Sequence, residues 1–160
     1  MNEKTATDNL TGGCMCGAIR YETHGETTGA LNCHCESCRR HTGAPMATLA
    51  VYMVNQVRFS GDERGIYEST PGVGRGFCAK CGTSLTWEAE SLRGVGAVCA
   101  LHISTFDDPE APALKAVGHT FYGERISWFD VVDDLPRYEG FRADKSLLHY
   151  GPASKVGSDG

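Results

Sequence analysis

The sequence predicts a single, mainly β domain that is held together by metal ions. Of the 160 residues, 41% are hydrophobic, which is enough for one core and too few for two comfortable domains. The 20 glycines are spread along the chain, and no long segment keeps the 3.6-residue period of an amphipathic helix. The 8 cysteines fall mainly into clusters with metal-ligand spacing. We expect a loose N-terminus at residues 1–9, one zinc-binding domain at 10–141 and a C-terminal tail at 142–160, disordered past Tyr150.

Short alternating segments predict the strands in chain order. Ile19 and Tyr21 alternate with Arg20 and Glu22, as in a half-buried strand, and residues 24–28 then form a hairpin connection. Further strands are predicted at residues 46–54, 57–60, 65–68, 85–88 and 95–101, and we expect the sheet to be antiparallel. Residues 105–112 are acidic and contain prolines, which indicates a surface loop, and the aromatic residues beyond Val117 suit packing across the sheet.

The segment NCHCESCRR, residues 32–40, places Cys33, Cys35 and Cys38 within six residues. Thiols this close would be strained in disulfides with one another, whereas a tight turn can aim all three at one zinc ion. The following residues, 39–45, are predicted to be a turn that contains Gly43 and Pro45. Three protein ligands are typical of catalytic zinc, which keeps a position open for water or substrate.

A fourth protein ligand would instead make this site structural. The candidates in the sequence are His34, His41, His102 and Cys99. His34 lies between two ligands and would point away from them in an extended segment, whereas His41 could reach from the following turn. Cys99, in VGAVCAL, is more typical of a small buried apolar residue. His102 is too distant in sequence to judge.

The second cluster consists of Cys14 and Cys16 with Cys78 and Cys81. Residues i and i+2 of a strand face the same side, so the first pair can point together, and the second pair is a Cys-x-x-Cys-Gly turn. Four thiolates close a zinc site, so we predict a structural zinc that joins the two halves of the chain. The alternative is a redox pair at Cys78 and Cys81, but no thioredoxin-like βαβ pattern surrounds it.

An open zinc with three thiolates favours a soft fourth ligand. The three thiolates already exceed the positive charge of the zinc ion, so the zinc acidifies bound water only weakly. It can instead hold a substrate thiol as the thiolate, aimed at a carbonyl carbon. His34 and His41 are the nearest candidates in sequence for the acid that protonates the alkoxide. Arg39 and Arg40 could attract an anionic substrate, or they could be ordinary solvated charges.

Composition limits the partners. The formal net charge is -5, and no basic run extends beyond Arg39-Arg40, so we do not expect nucleic acid as a partner. The longest apolar run, residues 46–54, is too short to span a bilayer, and the N-terminus lacks the features of a signal peptide. Clustered cysteines favour metal binding in a reducing compartment, so we expect a cytoplasmic protein. We expect no membrane partner, and the sequence does not indicate the oligomeric state.

The motifs GGCMCGAIRYE, CHCESCRRHTGAP, FCAKCGTSL and SWFDVVDDLPRYEGF resemble the glutathione-dependent formaldehyde-activating enzyme family, whose domain also occurs in centromere protein V. The resemblance spans residues 10–141. It implies a β-tent of coiled antiparallel sheets, a structural zinc on Cys14, Cys16, Cys78 and Cys81, and a catalytic zinc on Cys33, Cys35 and Cys38. It also implies carbon–sulfur lyase chemistry, the interconversion of S-hydroxymethylglutathione with glutathione and formaldehyde.

Two functions follow from the sequence. The first is a zinc-dependent lyase that acts on the thiol adduct of a small aldehyde. The second is a zinc-stapled binding module without catalysis, as in the centromere protein. A basic extension would favour the binding module, and the ends of this chain are polar and slightly acidic. We therefore favour the enzyme.

Overall fold

The computed structural model describes residues 9–92 and 96–141. Most of the predicted loose N-terminus and the whole of the predicted tail lie outside these residues, so both remain predictions. Within the described ranges, ten strands and one short α-helix are present, and the prediction of a mainly β fold is confirmed. None of the described helices has the length and apolar character needed to cross a membrane.

The strands form two sheets. A three-stranded antiparallel sheet has the order β1-β2-β5, and a seven-stranded sheet has the order β10-β3-β4-β9-β8-β7-β6. The strands are β1 Thr11–Gly13, β2 Ile19–Thr23, β3 Gly29–Cys33, β4 Ala47–Met53, β5 Val57–Gly61, β6 Gly65–Thr70, β7 Val73–Phe77, β8 Ser84–Ala89, β9 Val98–His102 and β10 Ala116–Thr120.

The expectation of purely antiparallel pairing is wrong for one described pair. β10 runs parallel to β3, with Thr120 opposite Cys33. The chain reaches β10 only after a long connection from β9, and a parallel neighbour requires such a crossover. The backbone N–H of His34 continues this pairing by donating to the carbonyl of Thr120 at 3.0 Å. β10 therefore supports the start of the cysteine-rich loop.

The turn predicted at residues 39–45 is also wrong in part. Helix α1 spans Glu36–Thr42, and Gly43 ends it in the left-handed conformation, with φ of 67° and its N–H donating to the carbonyl of Arg39. The side chain of Cys35 caps the other end by accepting from the backbone N–H of Cys38. Seven residues are too few for a periodic apolar face, so the pattern could not indicate this helix.

The two faces of the large sheet pack against different parts of the protein. In β4, Ala50 and Tyr52 face the small sheet and belong to the core between the sheets, together with Tyr21 and Phe106. Leu49 and Val51 face the opposite side and belong to a second cluster that includes Cys33 and Cys38. Since side chains alternate across a strand, this face carries the cysteine-rich loop and helix α1. The candidate site lies there.

Candidate metal centres and the adjoining pocket

The four-cysteine cluster joins two turns from different sheets. Cys14 and Cys16 lie between β1 and β2 of the small sheet, while Cys78 and Cys81 lie between β7 and β8 of the large one. Each turn is closed by a glycine at φ of 79°, Gly17 after Cys16 and Gly82 after Cys81. A Cβ at either glycine would meet no atom within 4 Å, so the backbone angle, and not space, explains these glycines.

The geometry of this cluster fits zinc. All four sulfurs lie within 4.8 Å of one another. The sulfur of Cys16 lies 3.6 Å from that of Cys14 and 3.9 Å from that of Cys78. Tetrahedral ligation with Zn–S bonds of about 2.3 Å separates sulfurs by about 3.8 Å. Hydrogen bonds from the hydroxyl and backbone N–H of Thr83 lower the pKa of Cys81 to about 5, which favours the thiolate that a metal requires.

The three-cysteine cluster forms at the end of β3 and the start of α1. Cys33 is the last residue of β3, Cys35 is the N-cap of α1, and Cys38 is buried in the first turns of the helix. Their sulfurs also lie within 4.8 Å of one another. Hydrogen bonds from the thiols of Cys33 and Cys38 lower the pKa of Cys35 to about 2, while the contact with Cys35 raises the pKa of Cys33. In the absence of a metal, the cluster therefore holds its negative charge on Cys35.

In the described ranges, no fourth histidine, cysteine or carboxylate atom joins the three sulfurs within the same 4.8 Å. Cys99 lies in the core between the sheets, on the face of β9 opposite the cluster. His34 turns away to contact His119, and the rings of His41 and His102 face each other with centroids 6.1 Å apart. The three-thiolate arrangement is therefore the one that the described side chains support.

Arg75 is a functional candidate that the sequence analysis missed. It lies in β7, is only 6% exposed, and its Nη1 donates to the sulfur of Cys38 at 3.4 Å. Its Nε donates to the hydroxyl of Ser69 at 3.2 Å. In the sequence, β7 could be indicated only by the alternation of Val73, Arg75 and Phe77, and the glycines between them obscure this strand pattern. A buried guanidinium beside three thiols offsets the charge of their thiolate forms.

A pocket of about 330 Å³ opens beside the three cysteines. The apolar part of its wall includes side chains from the strands and three aromatic residues: Leu31, Leu49, Val51, Val73, Ala100, Trp87, Phe121 and Phe141. Four hydroxyl residues line it as well: Ser37, Ser69, Thr70 and Thr120. Cys33, Cys35, Cys38 and Arg75 also line it. A small, mostly apolar cavity with a few convergent polar groups is the usual form of a ligand site.

A chain of buried hydrogen bonds runs away from the cysteine-rich loop. His34 and His119 are both fully buried, and Nε2 of His34 lies 2.8 Å from Nδ1 of His119. Nε2 of His119 lies 3.0 Å from Oδ2 of Asp133, and Oδ1 of the same carboxylate accepts from Arg137 at 2.9 Å. Since the carboxylate accepts from His119, the N–H of this contact belongs to His34. These hydrogen bonds connect the cysteine-rich loop to the C-terminal segment.

The remaining candidates point elsewhere. Arg39 donates to the carbonyls of His34 and Glu124, and Arg40 forms an exposed ion pair with Glu36 at 2.7 Å. Neither arginine lines the pocket, and neither do the rings of His34 and His41. Burial, with the nearby charges of His41 and Arg75, lowers the pKa of His102 to about 4, so this ring is neutral at neutral pH.

Comparison with known families adds a separate finding. The model of the family described as glutathione-dependent formaldehyde-activating enzyme matches residues 9–124. The chain belongs to this family. The match includes both clusters, Arg75 and the strands that carry them. The suspected membership in the glutathione-dependent formaldehyde-activating enzyme family is thereby confirmed. No curated protein matches the chain.

Proposed function

We propose that this protein is a zinc-dependent carbon–sulfur lyase that acts on the thiol adduct of a small aldehyde. The reference reaction is the interconversion of S-hydroxymethylglutathione with glutathione and formaldehyde. One observation carries the proposal: three cysteine sulfurs without a fourth described ligand line a pocket of about 330 Å³. A closed structural site would need a fourth ligand and no pocket.

We propose two zinc ions, one in each cluster. The four-cysteine cluster would hold a structural zinc that staples the two sheets, which also suits the β-tent architecture implied by the resemblance. Cys33, Cys35 and Cys38 would hold the second zinc, which supplies a Lewis-acidic position for a substrate sulfur as its thiolate. Seven of the eight cysteines lie in the two candidate metal clusters, which supports a reducing, cytoplasmic compartment.

The reaction balances without a redox partner. The carbon–sulfur bond of the adduct breaks, its electron pair goes to sulfur, and the hydroxyl oxygen becomes the carbonyl oxygen of the aldehyde. The hydroxyl proton is released, and one proton is taken up by the thiolate when the free thiol leaves. The reverse reaction forms the same bond.

The protein's own groups would assist at the sulfur. Arg75 is buried beside Cys38, so its positive charge would stabilise the negative charge that collects on the substrate sulfur. The apolar wall would exclude water and so strengthen this interaction. The hydrogen bond between His34 and His119 would fix the direction of the cysteine-rich loop.

Exchange spectroscopy by NMR tests the proposal. Formaldehyde and a thiol exchange with their adduct without a catalyst, and we expect the zinc-loaded protein to accelerate this exchange above the rate measured in a protein-free sample. Cys35→Ser should abolish the acceleration, whereas Cys99→Ala, a matched change of a cysteine outside both clusters, should retain it. Metal analysis of both proteins should accompany the exchange data. Two bound zinc ions with no acceleration for any thiol would instead favour the non-catalytic binding module.

A further inference from the structure

The pocket beside Cys33, Cys35 and Cys38 has chemistry of its own that bears on the substrate. Its lining includes the apolar side chains of Leu31, Leu49, Val51, Val73 and Trp87. These side chains come from β3, β4, β7 and β8, whose registers place Leu31 opposite Leu49 and Arg75 opposite Trp87. The wall is therefore built on the sheet, and a ligand would meet a largely preformed apolar surface.

Few charged side chains line the pocket. Among the described residues that line the pocket, Arg75 is the only cation and Glu124 the only carboxylate. Arg75 is already engaged by Cys38 and Ser69, and three thiolates on one zinc ion would leave a net negative charge for it to offset. Arg39 and Arg40 donate to backbone carbonyls and to Glu36 respectively, outside the wall.

Glutathione matches this pocket poorly. It carries two carboxylates and one ammonium at neutral pH, besides two peptide groups. A buried charge without a partner, or a buried amide without a hydrogen bond, costs several kcal/mol on transfer from water. The described wall offers no second cation for a carboxylate, and Glu124 would repel one. The hydroxyls of Ser37, Ser69, Thr70 and Thr120 also line the pocket and could hydrogen-bond the peptide groups, but they carry no charge to offset two carboxylates.

We propose that the natural thiol is apolar, an aryl- or alkyl-thiol without carboxylates, and that the enzyme acts on the aldehyde adduct of such a thiol. This inference rests on the proposed lyase function. The sulfur would lie at the three cysteines beside Arg75, and the organic group would pack against Val51, Val73 and Trp87. Burial of a ring or branched chain against such a wall contributes about 25 cal/mol for each Å² removed from water.

A binding experiment tests the pocket without any reaction. The chain has two tryptophans, and Trp128 is 79% exposed, so Trp128→Phe leaves Trp87 in the pocket wall as the only fluorophore of its kind. Benzyl methyl sulfide and S-methylglutathione are unreactive stand-ins for an apolar thiol and for glutathione. We expect saturable quenching of Trp87 by the benzyl compound, with a Kd at least about tenfold lower than that of the glutathione derivative.

A matched pair of variants ties this binding to the wall. Val73→Thr exchanges a pocket-lining methyl for a hydroxyl and should weaken the benzyl compound by about threefold to tenfold. Val57→Thr makes the same exchange in β5, against the core between the sheets, and should leave the Kd unchanged. Tighter binding of S-methylglutathione, or an equal effect of both variants, would overturn the inference.

Catalysis then separates this inference from the proposed function. Exchange of formaldehyde with benzyl mercaptan should show a kcat/KM at least about tenfold above that for glutathione. Catalysis with glutathione alone would overturn the apolar substrate and leave the lyase function standing. No catalysis with either thiol would overturn the lyase function, and with it the substrate proposed here.

Discussion

The guanidinium of Arg75 donates from Nη1 to the sulfur of Cys38 at 3.4 Å, in the buried wall of the pocket. β7 supplies the arginine and α1 supplies the cysteine, so the contact connects a strand of the large sheet with the helix that follows the cysteine-rich loop. A donor to a ligating sulfur orients the ligand and stabilises its thiolate. The pocket and the proposed metal site are thereby parts of one arrangement.

Replacing Arg75 should weaken metal binding at the three-cysteine site. Loss of a group that supports a metal ligand costs about tenfold to a hundredfold in affinity. We expect Arg75→Gln to show such a loss in zinc competition against a chelator, and Arg75→Lys, which keeps the charge, to show a smaller one. Arg58→Gln changes an exposed arginine and serves as the control. Unchanged zinc affinity in Arg75→Gln would contradict the role assigned to this contact.

The two cysteine clusters should respond differently to substitution. Cys81→Ser opens the site that joins the two sheets, and we expect the free energy of unfolding to fall by several kcal/mol, because binding of structural zinc is largely folding free energy. Cys35→Ser should cost about 1 kcal/mol or less, since serine is a good N-cap and can replace the sulfur that caps α1. Chemical denaturation monitored by circular dichroism measures both. Equal destabilisation would mean that the three-cysteine site is structural as well.

Much of this arrangement could be predicted from sequence because the signals are local. The alternation of Ile19 and Tyr21 predicted β2, and apolar segments predicted β4, β5, β6, β8 and β9 within a few residues of their ends. Cysteine spacing indicated the two clusters whose sulfurs the structure brings together. Glycine-rich β7 lacked a strand signal, and β1 and β3 are short and flanked by turns.

The rest depends on long-range packing that a single sequence does not reveal. His119 reaches His34 because β10 lies parallel to β3. Asp133 reaches His119 because the C-terminal segment returns along β10, where the N–H of Tyr138 donates to the carbonyl of His119 at 2.8 Å. Arg75 reaches Cys38 across 37 residues of sequence. Neither contact is encoded in a local period or motif.

The buried link between His34 and His119 should contribute measurably to stability. His119→Ala leaves the N–H of His34 without its partner and opens a cavity, and we expect a loss of about 2 to 4 kcal/mol. His24→Ala provides the comparison, because the side chain of His24 is 37% exposed and should cost much less. Urea titration of the two variants measures the difference. A loss in His119→Ala no greater than in His24→Ala would show that the link does not stabilise the fold.

His102 should make the protein less stable as the pH falls. Its pKa is about 4 in the fold, chiefly because of burial, against 6.5 in the unfolded chain. The unfolded state therefore binds the proton first, and stability decreases below pH 6.5 by about 1.4 kcal/mol per pH unit until about pH 4. Above pH 6.5 this contribution is fully present.

The variant His102→Asn isolates this term from other acid effects, such as the loss of metal. We expect the difference in unfolding free energy between the wild type and this variant to change by about 3 kcal/mol between pH 6.5 and 4, with the wild type losing more. Urea denaturation at several pH values provides the measurement. A difference independent of pH would contradict a neutral, buried His102.

A cobalt-substituted protein would show whether a substrate sulfur binds at Cys33, Cys35 and Cys38. Thiolate-to-cobalt charge-transfer bands report on the ligands of the metal. Addition of benzyl mercaptan should change these bands in the wild type, while benzyl methyl sulfide, which cannot form a thiolate, should leave them unchanged. Cys35→Ser should lose the response and keep the spectrum of the four-cysteine site. Identical spectra with both compounds, or an unchanged response in Cys35→Ser, would contradict binding of a substrate sulfur at this site.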